Sequence, residues 1–234
     1  MSETLDLLVF GAHPDDAEIG MGGTIAKHAV SGLRVGICDL TNAEMSSNGT
    51  VETRRKEAAD AADALGLAMR SNLGLPDRGL TGSREQIDAI VGEIRRLRPR
   101  IVFAPYWEDR HPDHVMCSKL VQEAVFSAKL RRYMPEVPAV AAEQLLFYFI
   151  NDTAEADLLV DVTDVYERKR ASLLAYRTQF EPAGASGGEF VPTPLNQGYL
   201  ANVEARDRLF GQKKLIPYAE GFVTKLPYTV NLFV

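Results

Sequence analysis

Strand-like and helix-like stretches alternate four times in the first 130 residues, and a chain patterned in this way buries its apolar surface as a parallel β-sheet flanked by helices. Residues 5–10 are a short apolar run ending in Gly-Ala-His, and residues 22–30 read as the helix that follows, stopping at Ser31-Gly32. Residues 35–40 and 51–65 repeat the pair, the helix being rich in Ala, Arg, Lys and Glu and closing before Gly66. The third pair is 69–75 and 83–98: Ser83 and Gln86 have capping-box spacing, Ile87, Ile90, Val91, Ile94 and Leu97 share one helical face, and Pro99 follows the stop. Residues 101–105 and 112–129 make the fourth. The expected fold is α/β, a Rossmann-like, mostly parallel sheet flanked by helices. Additional C-terminal strands are expected at 145–150 and 158–162, with helices at 165–176 and 199–210 and a Gly/Pro-rich loop near the site at 181–197.

The chain has 234 residues, 46% of them hydrophobic, enough for one large core and too few for two ordinary domains, so residues 1–234 are read as a single domain. No apolar run approaches the roughly 20 residues that cross a bilayer, and Met1-Ser2-Glu3-Thr4 lacks the basic start of a secretory signal; the cytoplasm is the default expectation. A formal charge of -6 argues against a broad grip on nucleic acid or anionic membrane. Cys38 and Cys117 read as buried free thiols rather than a disulfide framework. The apolar run Leu232-Phe233-Val234 reads either as a subunit contact in a homo-oligomer or as packing within one subunit.

Three of the four histidines fall in two similar clusters, His13-Pro14-Asp15-Asp16 and His111-Pro112-Asp113-His114, each just after an expected strand. In a parallel α/β sheet the carboxyl ends of the strands share one edge, so loops distant in sequence converge on one crevice. A catalytic zinc site takes three nitrogen or oxygen ligands and leaves one position for water, and His13, Asp16 and His114 supply such a set. Asp15 is then spare, and a carboxylate beside an activated water suits a general base. His111 is a second proton-handling group, with Asp113 expected to favour its charged form over the opposing dipole of a helix that starts at Pro112. The plainer alternative, helix-capping aspartates and locally bonded histidines, fits either cluster alone but not the recurrence of both at matching strand ends. His28, alone in a helical stretch, keeps that plainer role. The same donors suit iron or cobalt; zinc is the metal expected.

These residues resemble the signature of the LmbE-like, or PIG-L-like, de-N-acetylases: Ala12-His13-Pro14-Asp15-Asp16-Ala17-Glu18 followed by Gly22-Gly23-Thr24, then Arg110-His111-Pro112-Asp113-His114. The likeness runs over essentially the whole chain, through Leu40-Thr41, Arg54-Arg55-Lys56-Glu57-Ala58 and Leu75-Pro76-Asp77. Within the family it is nearest to the bacillithiol-biosynthesis deacetylases, which act on N-acetylglucosaminyl-malate. The resemblance implies His13, Asp16 and His114 as metal ligands, Asp15 as base, His111 paired with Asp113, Arg54 as a substrate-binding position and Tyr199 as an oxyanion contact. It also implies a small amino-sugar conjugate as the partner, and the charge and the lack of a long apolar run add the expectation of no nucleic acid and no membrane.

A guanidinium fork suits a carboxylate such as malate, so Arg54 is preferred as a substrate contact over one more charge on a solvated helix face, and Arg110 is a second grip on the same anion. Gly20-Met21-Gly22-Gly23 lacks the G-x-G-x-x-G spacing of a nucleotide loop and reads as a close strand–helix approach. Trp107 either lines the pocket or packs, and Asp77 and Arg78 are either sugar contacts or ordinary turn residues. The expected reaction is hydrolysis of an acetamide to acetate and a free amine, with either Asp15 or His111 protonating the amine. The rivals are a related amidase for a thiol-sugar conjugate or other N-acetylated glycoside, and a noncatalytic sugar- or nucleotide-binding module, which would require a closed four-ligand metal.

Overall fold

A computed structural model describes residues 4–181 and 190–228. Among these residues, β1 (Leu7–Gly11), β2 (Val35–Thr41), β3 (Met69–Leu75), β4 (Ile101–Pro105), β5 (Gln144–Tyr148), β6 (Leu158–Asp161) and β7 (Ala219–Val223) form one sheet in the order β3-β2-β1-β4-β5-β7-β6. The helices are α1 (Asp16–Val30), α2 (Val51–Leu65), α3 (Arg84–Leu97), α4 (Pro112–Ala128), α5 (Tyr166–Ala175), α6 (Arg177–Phe180) and α7 (Tyr199–Gln212). Successive side chains of a strand point to opposite faces, and β1 is buried throughout: Leu8 and Phe10 join the core beneath α3 and α4, whereas Leu7 and Val9 join the core beneath α1, α2 and α5. Ile90, Val91, Ile94 and Leu97 of α3 enter the first of these cores as a stripe, with Ile87 packed at its edge.

The first five strands pair in parallel, while β7 lies antiparallel between β5 and β6. From β1 the chain moves outward through β2 to β3, then returns to the other side of β1 as β4. The carboxyl ends of β1 and β4 therefore flank the point where strand order reverses, which is where open α/β sheets bind ligands. His13 follows the first of these strands and His111 the second.

Two elements depart from the sequence pattern. The first helix begins at Asp16 rather than at residue 22, but Met21 (φ -150°, ψ 26°) breaks it, so the stretch from Gly22 onward is a helix whose buried first N–H groups need acceptors of their own. Gly23 and Thr24 donate these to the Glu220 carboxylate at 2.9 and 2.6 Å. Glu220 lies on β7, the strand that the sequence did not disclose, because Glu220 and Gly221 interrupt its apolar alternation. Its charge is tolerated in the interior because the fully buried Lys169 ammonium reaches both Glu220 and Asp207 at 2.6 Å.

The glycines of α1 permit close packing. A Cβ at Gly20 would lie 2.1 Å from the Tyr148 ring, and one at Gly23 would lie 2.7 Å from Val162. Cys38 and Cys117 are buried and unbridged. No helix among the described residues is long and apolar enough to cross a membrane. Leu232-Phe233-Val234, and residues 182–189 of the Gly/Pro-rich loop, lie outside the described residues.

Candidate metal centre and active-site cavity

The two histidine clusters meet. Donor atoms of His13, His111 and His114 all fall within 4.8 Å of one another, as do those of His13, Asp77 and Asp113. Asp16, the first residue of α1, bridges two of the imidazoles: its Oδ1 lies 3.1 Å from Nε2 of His114 and its Oδ2 lies 3.6 Å from Nδ1 of His13. Asp77 and Asp113 approach His13 from its other nitrogen, Nε2, at 3.1 and 3.5 Å. The nitrogens turned to Asp16 are thus Nδ1 of His13 and Nε2 of His114. His111 caps α4, and its Nδ1 accepts the Asp113 backbone N–H at 3.2 Å.

The donor chemistry fits a divalent cation. Asp15, Asp16, Asp77, Asp109 and Asp113 crowd around the three imidazoles, with Arg54, Arg78 and Arg110 as the nearby guanidiniums. Burial works against charge on His13, yet Asp113, Asp16 and Asp77 pull its pKa well above the ordinary value. For His114 the same opposition, with Asp16 and Asp109 pulling upward, ends at about 9. Two imidazoles drawn toward positive charge, that of His114 buried and that of His13 nearly so, mark a place where carboxylates outnumber cations. Asp16 itself is held well below the usual range, because His114 and His13 outweigh its burial.

Asp15 behaves in the opposite way. Burial raises its pKa to about 7 despite the Arg54 guanidinium beside it, and the neighbouring Asp16 adds to the rise. Its backbone has φ 124°, a conformation that a residue with a Cβ rarely adopts, and strain of this kind gathers at functional sites. It lines a cavity of about 620 Å³ together with His13, Asp16, His111 and His114.

The other expected residues are distributed as follows. Arg54 lines the cavity and is buried, so it is not part of a solvated face, but its donors turn inward: Nη1 to the Pro14 carbonyl at 2.8 Å and Asp15 at 3.4 Å, Nη2 to Ser46 Oγ at 3.0 Å. Its Nε is buried without a hydrogen-bond partner. Arg110 is exposed on the cavity wall. Tyr199 also lines the cavity, and its hydroxyl donates to Asn151 Oδ1 at 2.9 Å.

The expected pairing of His111 with the Asp113 carboxylate is corrected. That carboxylate takes the backbone and guanidinium of Arg78 at 2.9 and 2.8 Å, and only the Asp113 backbone N–H meets the His111 ring. Burial, followed by the repulsion of His114 and His13, accordingly lowers the His111 pKa instead of raising it. Trp107 packs on Tyr106 and Phe147 and is not among the cavity residues, and His28 bonds the Thr24 carbonyl one turn back at 2.7 Å.

Sequence reasoning passed over Asp109 and Asn151 and left Asp77 undecided. Asp109 accepts from His114 Nδ1 at 3.0 Å and from Asn151 Nδ2 at 2.9 Å. Asp77 ties His13 to the wall loop through the Met45 N–H, at 2.9 Å.

Comparison with known proteins adds an independent line. Residues 8–125 match the family model described as PIG-L, GlcNAc-PI de-N-acetylase. The diacetylchitobiose deacetylase of Thermococcus kodakarensis is 32% identical over 189 residues, 74% of this chain and 70% of that protein. The probable N-acetyl-alpha-D-glucosaminyl L-malate deacetylase 2 of Bacillus cereus is 30% identical over 190 residues, 75% of this chain and 84% of that protein. Among solved structures, the conserved protein TT1542 from Thermus thermophilus superposes with a TM-score of 0.89 at 41% identity, covering 99% of each chain.

Proposed function

The chain belongs to the PIG-L family and is an N-deacetylase of the N-acetylglucosamine type, and from that premise we propose that it hydrolyses N-acetylglucosaminyl-L-malate at a zinc site made by His13, Asp16 and His114. The observation that carries the metal assignment is the convergence of His13 Nδ1 and His114 Nε2 on the two oxygens of Asp16, beside a spare carboxylate, Asp15. When bound, zinc supplies Lewis-acid polarisation of the amide carbonyl and activation of water.

Asp15 takes a proton from the attacking water, whose oxygen bonds to the acetyl carbon. A base works best with a pKa near the working pH, and burial brings this carboxyl to about 7. Arg54 stands beside it, with Nη1 at 3.4 Å, and as a buried residue of the cavity wall it is the substrate-binding position in this reading. With its Nδ1 accepting from Asp113, a neutral His111 carries its proton on Nε2 and serves as a donor to the developing oxyanion. Asp15 then returns its proton to the nitrogen as the carbon–nitrogen bond breaks, giving acetate and the free amine.

The malate conjugate is favoured by cationic groups on the cavity wall, where Arg110 is exposed and Arg78 is 48% exposed. Diacetylchitobiose is the second reading, supported by the relative that is 32% identical. Zinc-loaded protein incubated with each compound, with free amine and acetate measured, tests both. The expected result is faster turnover of the malate conjugate, and a KM for that conjugate alone that rises about tenfold in R110A, since a charge-assisted contact contributes about 1.5 kcal/mol or more. Faster turnover of diacetylchitobiose, with R110A silent, reverses the substrate assignment.

A further inference from the structure

We propose that Asp109 is a positioning residue that fixes which ring nitrogen His114 offers to the metal, and that Asn151 and Tyr199 hold Asp109 in that role; this rests on the assignment of His114 as a ligand. Asp109 lies in the loop between β4 and α4, with a side chain 2% exposed. Its Oδ1 accepts from His114 Nδ1 at 3.0 Å, from Asn151 Nδ2 at 2.9 Å and from the His111 backbone N–H at 2.8 Å. Its Oδ2 accepts the Asn151 backbone N–H at 3.0 Å. Both oxygens are thus engaged, and an ionised carboxylate can only accept, so Nδ1 of His114 is the donor in its bond to Asp109. A ring with its proton fixed on Nδ1 keeps the lone pair on Nε2, the nitrogen that faces Asp16 at 3.1 Å.

Asp109 is itself held from a third part of the chain. Asn151 follows β5, and its amide is oriented by partners of opposite kind, Nδ2 donating to Asp109 and Oδ1 accepting from Tyr199 at 2.9 Å. Tyr199 opens α7 and lines the cavity. A continuous chain of hydrogen bonds therefore runs from the cavity wall to the ring of His114 through Asn151 and Asp109. The hydroxyl proton of Tyr199 is spent in this chain, which gives Tyr199 a supporting part distinct from the oxyanion contact expected of it. His13 is oriented differently, since two carboxylates, Asp77 and Asp113, share its outer nitrogen. Among the described residues Asp109 is the one carboxylate on Nδ1 of His114, so its removal has no substitute.

The test measures zinc affinity by chelator competition in the wild type, D109N, D109A and N151A, with the absorption spectrum of the cobalt-substituted protein as a second readout. Loss of an outer partner of a ligating histidine weakens metal binding about 10–100-fold. D109N and D109A are expected to show that loss with an altered cobalt spectrum, and N151A a smaller loss in the same direction. D109N that folds, judged by circular dichroism, and binds zinc within about twofold of the wild type with an unchanged cobalt spectrum overturns the proposal. Nitrogen-15 chemical shifts of His114 in the metal-free wild type, recorded in alkaline solution where the ring is neutral, test the proton position without any variant. A proton on Nδ1 supports the assignment and a proton on Nε2 overturns it, even if the variants misfold. Failure of the wild type itself to bind zinc instead removes the zinc reading, which the nitrogen shifts keep separate.

Discussion

Asp15 and Asp16 are adjacent in sequence and opposite in chemistry, and the difference lies in their partners. Asp16 faces two imidazoles that hold it ionised, whereas Asp15 faces the interior with one guanidinium at 3.4 Å, too weak a contact to offset its burial. In D15A kcat is expected to fall about 10²–10⁴-fold, the usual contribution of a general base, with zinc content unchanged by metal analysis; unaltered turnover would remove Asp15 from the role. A base acts only when ionised, so activity should decline as pH drops through its pKa. That value is about 7 without metal, and a bound divalent cation moves the acid limb lower. The residues of the two His-Pro-Asp motifs were legible because a motif followed a strand twice. Asp109 was not, because in Glu108-Asp109-Arg110 nothing local distinguishes one carboxylate from its neighbour; the choice is made by the His114 ring and the distant Asn151. Arg54 was legible as a cavity residue, but its direction was not, since that depends on the Pro14 carbonyl brought alongside only by folding.

The start of α1 depends on the absence of side chains. Gly20 lies against the Tyr148 ring and the Phe149 carbonyl, with no space for a methyl group. G20A is expected to destabilise the protein by about 1–3 kcal/mol in denaturant unfolding, the usual range for overpacking, even though alanine favours helix. Its effect on zinc affinity should exceed that of a surface substitution, because the same helix turn carries Asp16. The second half of α1 depends on Glu220 in an equally specific way. E220A leaves the Gly23 and Thr24 N–H groups without their acceptor and the buried Lys169 with Asp207 as its remaining carboxylate, and about 3–5 kcal/mol should be lost. A loss under about 1 kcal/mol would mean that water or Asp207 replaces Glu220 without penalty. The periodic elements, α2, β3 and β4, fall where their apolar patterns and stop signals put them. The departures, α1 before Gly22 and β7, are held by glycine contacts and a buried charge network, neither of which leaves a period in the sequence.

The reversal of strand order between β1 and β4 gathers more carboxylates than cations into one buried place. Protons partly make up the deficit in the metal-free protein, on His13 and His114, so metal must displace them. Both imidazole pKa values are raised, so zinc affinity should strengthen as pH rises toward and through about 9, the value for His114, falling about tenfold per pH unit below it for each proton displaced. Calorimetric titration in buffers of different ionisation enthalpy counts those protons, and an affinity that ignores pH would mean that the imidazoles are already neutral. Removal of zinc should likewise lower the melting temperature, since binding to the folded state alone stabilises it by mass action.

The position of β7 has a consequence for synthesis on the ribosome. This strand, residues 219–223, occupies the gap between β5 and β6, so among the described residues β6 has no sheet neighbour while the nascent chain is shorter than that. Every group assigned here to the chemistry has by then been translated. A message with a stop codon just after Tyr218 would encode all of them, yet its product would lack the carboxylate that receives the Gly23 and Thr24 N–H groups and faces Lys169, and it is expected to be cleaved by protease faster than the full chain.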